Sequence, residues 1–239
     1  MLINERWYNF IMNNINVIVT APPRSGHAWF TYMLKRSLLK DPTQDDSIKR
    51  NNMQLMLYGT FENTIQTTIL RKPDEIIPSN TTKLYGGLGQ NYVLGINMPE
   101  EAMAIFTMDR IIDEQLKQYL EWTKAINKNI NKIVPFTFEQ ITLNIKNVCN
   151  YFIKYYKIND IDPSTFDIPK IMNEADRNIH QHHKISKEYN NALPVIKKPD
   201  IYNEAKAALQ LNELYLKVND EYAKTLENIK NRQLDLGYN

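Results

Sequence analysis

The segment Asn16–Leu34, N-V-I-V-T-A-P-P-R-S-G-H-A-W-F-T-Y-M-L, reads as a buried strand, a tight turn carrying a glycine, and a helix. Val17, Ile18 and Val19 are apolar and β-branched at consecutive positions, the pattern of a parallel strand covered on both faces. Trp29, Phe30, Met33, Leu34 and Leu38 then recur at helical spacing. The turn between them, Ala21 to His27, brings backbone N–H groups and the positive end of the helix to one place. Arg24 adds a planar, permanently charged fork. This arrangement predicts an α/β protein that binds a phosphate or sulfate ester.

The same turn lacks two parts of a P-loop nucleoside-triphosphate hydrolase. That chemistry needs a lysine for the terminal phosphates and a Ser or Thr hydroxyl for magnesium after the last glycine. His27 and Ala28 stand in those places. A second stretch, Thr67–Ser79, reads T-T-I-L-R-K-P-D-E-I-I-P-S: an apolar and β-branched run, then Arg71, Pro73 and Ser79.

The two stretches together resemble the sulfotransferases that use PAPS (3′-phosphoadenosine-5′-phosphosulfate). In that family the strand with Pro-Pro-Arg-Ser-Gly and a helix starting with Trp holds the 5′-phosphosulfate, and an R-x-P-x-x-x-x-x-S pattern after another parallel strand grips the 3′-phosphate. The resemblance implies a three-layer α/β/α fold with a central parallel sheet, the P-loop-like sulfotransferase fold, and PAPS as cofactor with PAP (3′-phosphoadenosine-5′-phosphate) as product and no metal. It implies cofactor contacts from Arg24, Ser25, Gly26, His27, Ala28 and Trp29 in the loop, and from Arg71 and Ser79 at the 3′-phosphate. A bidentate guanidinium and a hydroxyl suit that dianion. A third stretch, Lys132–Tyr156, resembles the family's late strand ending in Tyr-Glu-Asp-Leu, with Phe138, Glu139, Gln140 and Ile141 in those four places. Phe138 there removes a hydroxyl that often touches the nucleotide, and Pro135 requires an edge or a bulge.

For catalysis the resemblance points to Arg24, which stands where the family has Lys or Arg, as the charge that stabilises the leaving phosphate. His27 is a further ligand or base, or else a helix-start residue facing solvent. The family takes its base from the region between the two phosphate motifs, where Glu62 in Y-G-T-F-E-N is the candidate by elimination; an exposed loop carboxylate is the other reading. His180, His182 and His183 have no carboxylate or cysteine at ligand spacing, so zinc is not expected. With Arg177, Lys184 and Lys187 they form either a solvated loop or a basic loop over the 3′-phosphate. Two rival functions stay open: a P-loop kinase, and a degenerate protein that binds PAP or another anion without turnover.

The chain's 239 residues fit one α/β domain over 1–239. A formal net charge of +2 is too mild for a nucleic-acid partner. There is no basic-then-apolar leader and no apolar run of membrane-spanning length, so a soluble, cytoplasmic enzyme is expected, acting on a small-molecule or carbohydrate acceptor. Oligomeric state and the identity of the acceptor are not legible. The lone Cys149, among Ile145, Val148 and Phe152, reads as a buried thiol.

Along the chain, Met1–Asn14 is a lead-in and the polar run from Asp41 to Asn52 a loop. Gln54–Tyr58 and Thr64–Leu70 read as strands, and the glycine-rich stretch Asn80–Gly95 as a mobile loop. Glu100–Asn127 is an amphipathic helix. Asp160–Ala192 is irregular, and Tyr202–Asn231 is one long helix with an apolar stripe of Leu211, Leu214, Val218, Tyr222, Leu226 and Ile229.

Overall fold

β1 (Val17–Thr20), β2 (Ile48–Asn51), β3 (Ile65–Leu70) and β4 (Val134–Thr137) pair in parallel in the order β2-β1-β3-β4. The computed structural model describes residues 17–38, 48–51, 65–93, 107–155 and 198–238. Around the sheet run seven α-helices among the described residues: α1 (His27–Leu38), α2 (Pro73–Val93), α3 (Met108–Asn129), α4 (Phe138–Leu143), α5 (Ile145–Tyr155), α6 (Lys198–Gln210) and α7 (Glu213–Asp235), with a short 3-10 turn at Ile130–Lys132. The protein is thus mostly helical with a small parallel sheet, compatible with an α/β fold. No helix among the described residues is long and apolar enough to cross a membrane.

β1 lies inside the sheet between β2 and β3, which explains its unbroken apolar run: Val17 and Val19 are fully buried. The register Val19↔Thr67 and Thr67↔Val134, with Ile69↔Phe136, sets these residues on one face. On that face Phe136 meets Phe30 of α1 at 5.9 Å and Phe152 of α5 at 5.8 Å between ring centres, with Tyr238 at 5.5 Å. Each such pair adds about 0.5–1.5 kcal/mol beyond area burial. The alternate positions Thr20, Gln66 and Thr68 are buried but polar. They satisfy one another: Gln66 Nε2 donates to Thr20 Oγ1 at 3.3 Å, and Thr68 Oγ1 to the Thr20 carbonyl at 2.7 Å. Helices α2, α3, α6 and α7 form a connected group, and α7 also packs on β4. There Gln233 Nε2 donates to the Pro135 carbonyl at 2.7 Å. Pro135 is tolerated because β4 stands at the edge of the sheet formed by the described residues.

Several expectations are corrected. Ile48–Asn51 is a strand, not loop: at an edge, pairing with β1 supplies the backbone bonds and a polar I-K-R-N sequence suffices. The described part of Asn80–Gly95 is helix, not a mobile loop. Pro73 opens α2 at its first position, Asp74 and Glu75 complement its dipole, and Ile76, Ile77 and Thr81 are buried, so packing outweighs the glycines. Phe138–Ile141 belongs to α4 rather than to the end of a strand. Thr137 stops β4 by forming a capping box with Gln140.

The closing helix is two helices. Asn212 caps α7 through Leu214 N–H, and Leu211, at the break, is 87% exposed and leaves the stripe. Val218 and Ile229 of that stripe are buried, with Leu214, Tyr222 and Leu226 packed partly against the core. Cys149 is buried, as expected. The lead-in, Gln54–Tyr58 and Asp160–Ala192 lie outside the described residues.

Candidate anion site

β1 and β3 are neighbours, so the loop after Thr20 and the turn after Leu70 leave the sheet together at its carboxyl edge. In the loop, Arg24 has φ 66° and Gly26 φ 86°, both left-handed. For a residue with a Cβ this costs on the order of 1–2 kcal/mol and needs outside support. The support is visible. Ser25 N–H and Ser25 Oγ both donate to the Pro22 carbonyl, at 3.3 and 2.7 Å. Arg71 Nη1 donates to the Arg24 carbonyl at 2.7 Å.

The two arginines hold each other's motifs. Arg24 Nε donates to Ser79 Oγ at 3.1 Å, on the second turn of α2, while Arg71 reaches back to the loop's backbone. Arg71 is otherwise confined. Its Nε donates to Glu75 Oε2 at 3.0 Å, its guanidinium carbon stands 4.1 Å from the centre of the Phe138 ring, and its carbonyl accepts from Tyr119 Oη at 2.7 Å. Only 21% of its side chain is exposed. Phe138 also touches the loop: a Cβ on Gly26 would come within 2.7 Å of Phe138 Cε2, so Gly26 is required both by its φ and by this ring. Nearby, Lys72 Nζ and Glu139 Oε1 are 3.7 Å apart, both substantially exposed and therefore of little energetic weight.

Two tyrosines border the site. Burial pushes the Tyr119 phenol well above its ordinary range, with Tyr222, Asp74 and Glu139 adding to the effect. Tyr222 is pushed up to about 12, by burial first and then by Glu139, Asp74 and Glu75. Both stay neutral donors at physiological pH. Beside the loop lies a shallow depression, open to solvent, whose enclosed part has room for little more than a water molecule. Pro22, Pro23, Ile76, Ile77 and Tyr119 line it, with the amides of Asn80, Gln115 and Gln118. Asn80 Nδ2 donates to Gln115 Oε1 at 2.7 Å.

The structure therefore brings Arg24, Arg71 and Ser79 together, with Ser25 and Gly26 in the loop and His27, Ala28 and Trp29 in the first turn of α1. His27 is half-buried and its carbonyl accepts from Thr31 Oγ1. Ala28 is exposed, and Trp29 packs partly against the core. Ser25 is fully buried with its hydroxyl turned inward. Glu62 and the His180–His183 stretch lie outside the described residues. Sequence reading missed Glu75, Tyr119 and the contact of Phe138 with Arg71. Glu75 had a signal, since an acid two residues after Pro73 falls in the first turn of a helix that Pro73 would start. Tyr119 had none, being one of two aromatics, with Trp122, among the buried residues of α3. Comparison with known proteins gives no match to a protein-family model and no significant match to a curated protein.

Proposed function

We propose that the chain is a PAPS-dependent sulfotransferase, with the three-layer P-loop-like arrangement of that family, acting on a hydroxyl or amine of a small-molecule or carbohydrate acceptor. One observation carries the reading. Arg24, which the resemblance places at the 5′-phosphosulfate, and Arg71 and Ser79, which it places at the 3′-phosphate, meet within hydrogen-bond distance at the carboxyl edge of neighbouring strands, where open α/β sheets bind their ligands.

The residues present fit a ligand with two anionic groups. The first turn of α1 follows directly on a loop with two left-handed residues, and the amino terminus of a helix presents its N–H groups and positive dipole end to an anion. The exposed bond from Arg24 to Ser79 is cheap to exchange for bonds to phosphate oxygens, because both groups are near water. Arg71 and Ser79 would hold the 3′-phosphate; Arg24 and the N–H groups of Gly26, His27, Ala28 and Trp29 would hold the 5′-phosphosulfate. Ser25 would serve the loop's shape, since its N–H and hydroxyl both close the turn on Pro22. Bound PAPS would supply the sulfuryl group and leave as PAP. Arg24 would neutralise charge developing at the bridging oxygen, a task the protein must perform by itself where no metal is used. Among the described residues the neighbouring depression is lined by prolines, isoleucines, amides and Tyr119 with no charged group, which suits the edge of a neutral acceptor presenting hydroxyls.

Calorimetric titration with PAP, 5′-AMP and magnesium-ATP tests the cofactor. Tight PAP binding that needs the 3′-phosphate is expected; no preference over AMP, or a preference for ATP, would overturn the reading. Transfer from radiolabelled PAPS across an acceptor panel tests turnover. PAP binding with no transfer to any acceptor would identify an anion-binding protein instead.

A further inference from the structure

We infer that Phe138 is a positioning residue: its ring fixes the Arg71 guanidinium and sets its distance from the Arg24–Gly26 loop, so that the chain selects a ligand with two anionic groups over a ligand with one. The inference rests on the cofactor reading above and deepens it.

The position of Phe138 follows from the sheet. Leu70 pairs with Thr137 in register, so the next residue on each strand, Arg71 and Phe138, leaves the sheet side by side. Thr137 then starts α4 with a capping box, which fixes the backbone at the ring. The ring face lies under Arg71, at 4.1 Å from the guanidinium carbon. The ring flank abuts Gly26, where even a methyl group would be 2.7 Å from Cε2. A single side chain is thus wedged between the strand end that carries one candidate phosphate contact and the loop that carries the other.

The remaining contacts of Arg71 complete the argument. Nε is taken by Glu75 and one Nη1 proton by the Arg24 carbonyl, while one face of the plane is covered by Phe138. The fork's outer edge, Nη2 with the second Nη1 proton, is what this arrangement leaves for a phosphate. An arginine without the ring keeps its charge but gains rotamers, and ordering them costs affinity only for the group that Arg71 recognises. The expected signature is therefore selective: loss at the 3′-phosphate, not loss of all binding.

The test is calorimetry of PAP and 5′-AMP on the wild-type chain and on Phe138→Leu and Phe138→Tyr, with melting curves for each. Leucine keeps an apolar body against Gly26 and removes the π face. PAP affinity should fall about tenfold in Phe138→Leu, within the range of a partly buried cation–π contact, while AMP affinity stays within about twofold and Phe138→Tyr retains the wild-type ratio. If Phe138→Leu fails to fold, Phe138→Met serves in its place. Equal losses for PAP and AMP, or an unchanged ratio, would overturn the positioning role while leaving the cofactor reading intact. A wild-type chain that binds PAP no better than AMP would overturn both.

Discussion

Arg24 and Arg71 sit a hydrogen bond apart, yet their surroundings are opposite. Arg71 is held at its Nε, at one Nη and across one face, with its backbone carbonyl tied to Tyr119. Arg24 is the reverse: its backbone is fixed in a left-handed conformation, while its side chain is exposed and bonded to Ser79. The difference teaches a division of labour. An arginine already ordered loses little entropy on binding and suits recognition of a group that does not move. An arginine on a rigid backbone with an exchangeable side chain suits a charge that shifts during a reaction, because it can follow that charge without the loop deforming.

Substitutions can break or sharpen this contrast. The largest effect is expected from Arg24→Ala: sulfuryl transfer should fall about 10²- to 10³-fold, with PAP affinity falling less than about tenfold. Parallel losses in turnover and binding would erase the distinction between the two arginines. Arg71→Ala should do the opposite, lowering PAP affinity about 10- to 150-fold, as for a lost charge-assisted contact, and removing the preference for PAP over AMP by calorimetry. Gly26→Ala tests the ring between them: with its φ of 86° and the 2.7 Å approach to Phe138, it should destabilise the fold by about 1–3 kcal/mol in denaturant unfolding. An unchanged midpoint would mean that the loop and the ring are not packed as described.

The smallest effect concerns pH and the carboxylates on the Arg71 side. Tyr222 has an ordinary value of 10.0 and is raised to about 12 in the folded chain, by burial and then by Glu139, Asp74 and Glu75. Above pH 10 the unfolded chain therefore releases this proton first, and the stability it contributes, complete below pH 10, is lost as pH climbs toward 12. Tyr222→Phe should move the alkaline unfolding midpoint upward, with one fewer late-titrating phenol in tyrosinate absorbance. An unmoved midpoint would mean that the Tyr222 phenol is not held neutral by burial beside those carboxylates.

How much of this was legible depended on how local each signal was. β1, the Arg24 turn and α1 are encoded within Val17–Leu38, where strand pattern, turn chemistry and helical spacing agree. β3 and Arg71 were legible for the same reason. The glycine-rich part of α2 was not, because its helicity depends on burying Ile76, Ile77 and Thr81 against other elements, and local propensity argues against it. The split between α6 and α7 hinges on one asparagine cap within an otherwise continuous stripe. Edge strand β2 has almost no apolar signature to read. At the site, residue types were readable but contacts were not: nothing in the composition of Phe138 says that it lies under Arg71, since that depends on the pairing of β3 with β4.

The parallel pairing has a consequence for how the protein comes into being. Thr68 reaches Thr20 across 48 residues, Thr67 reaches Val134 across 67, and Arg71 reaches Arg24 across 47. Among the described strands no hairpin closes the sheet early, so on the ribosome the first strand waits, its buried valines uncovered, until distant segments are synthesised and arrive. Phe138 follows β4, the last of the described strands along the chain. An emerging chain therefore carries both arginines long before it has the ring that lies between them, and the proposed anion site would be a property of the finished sheet alone.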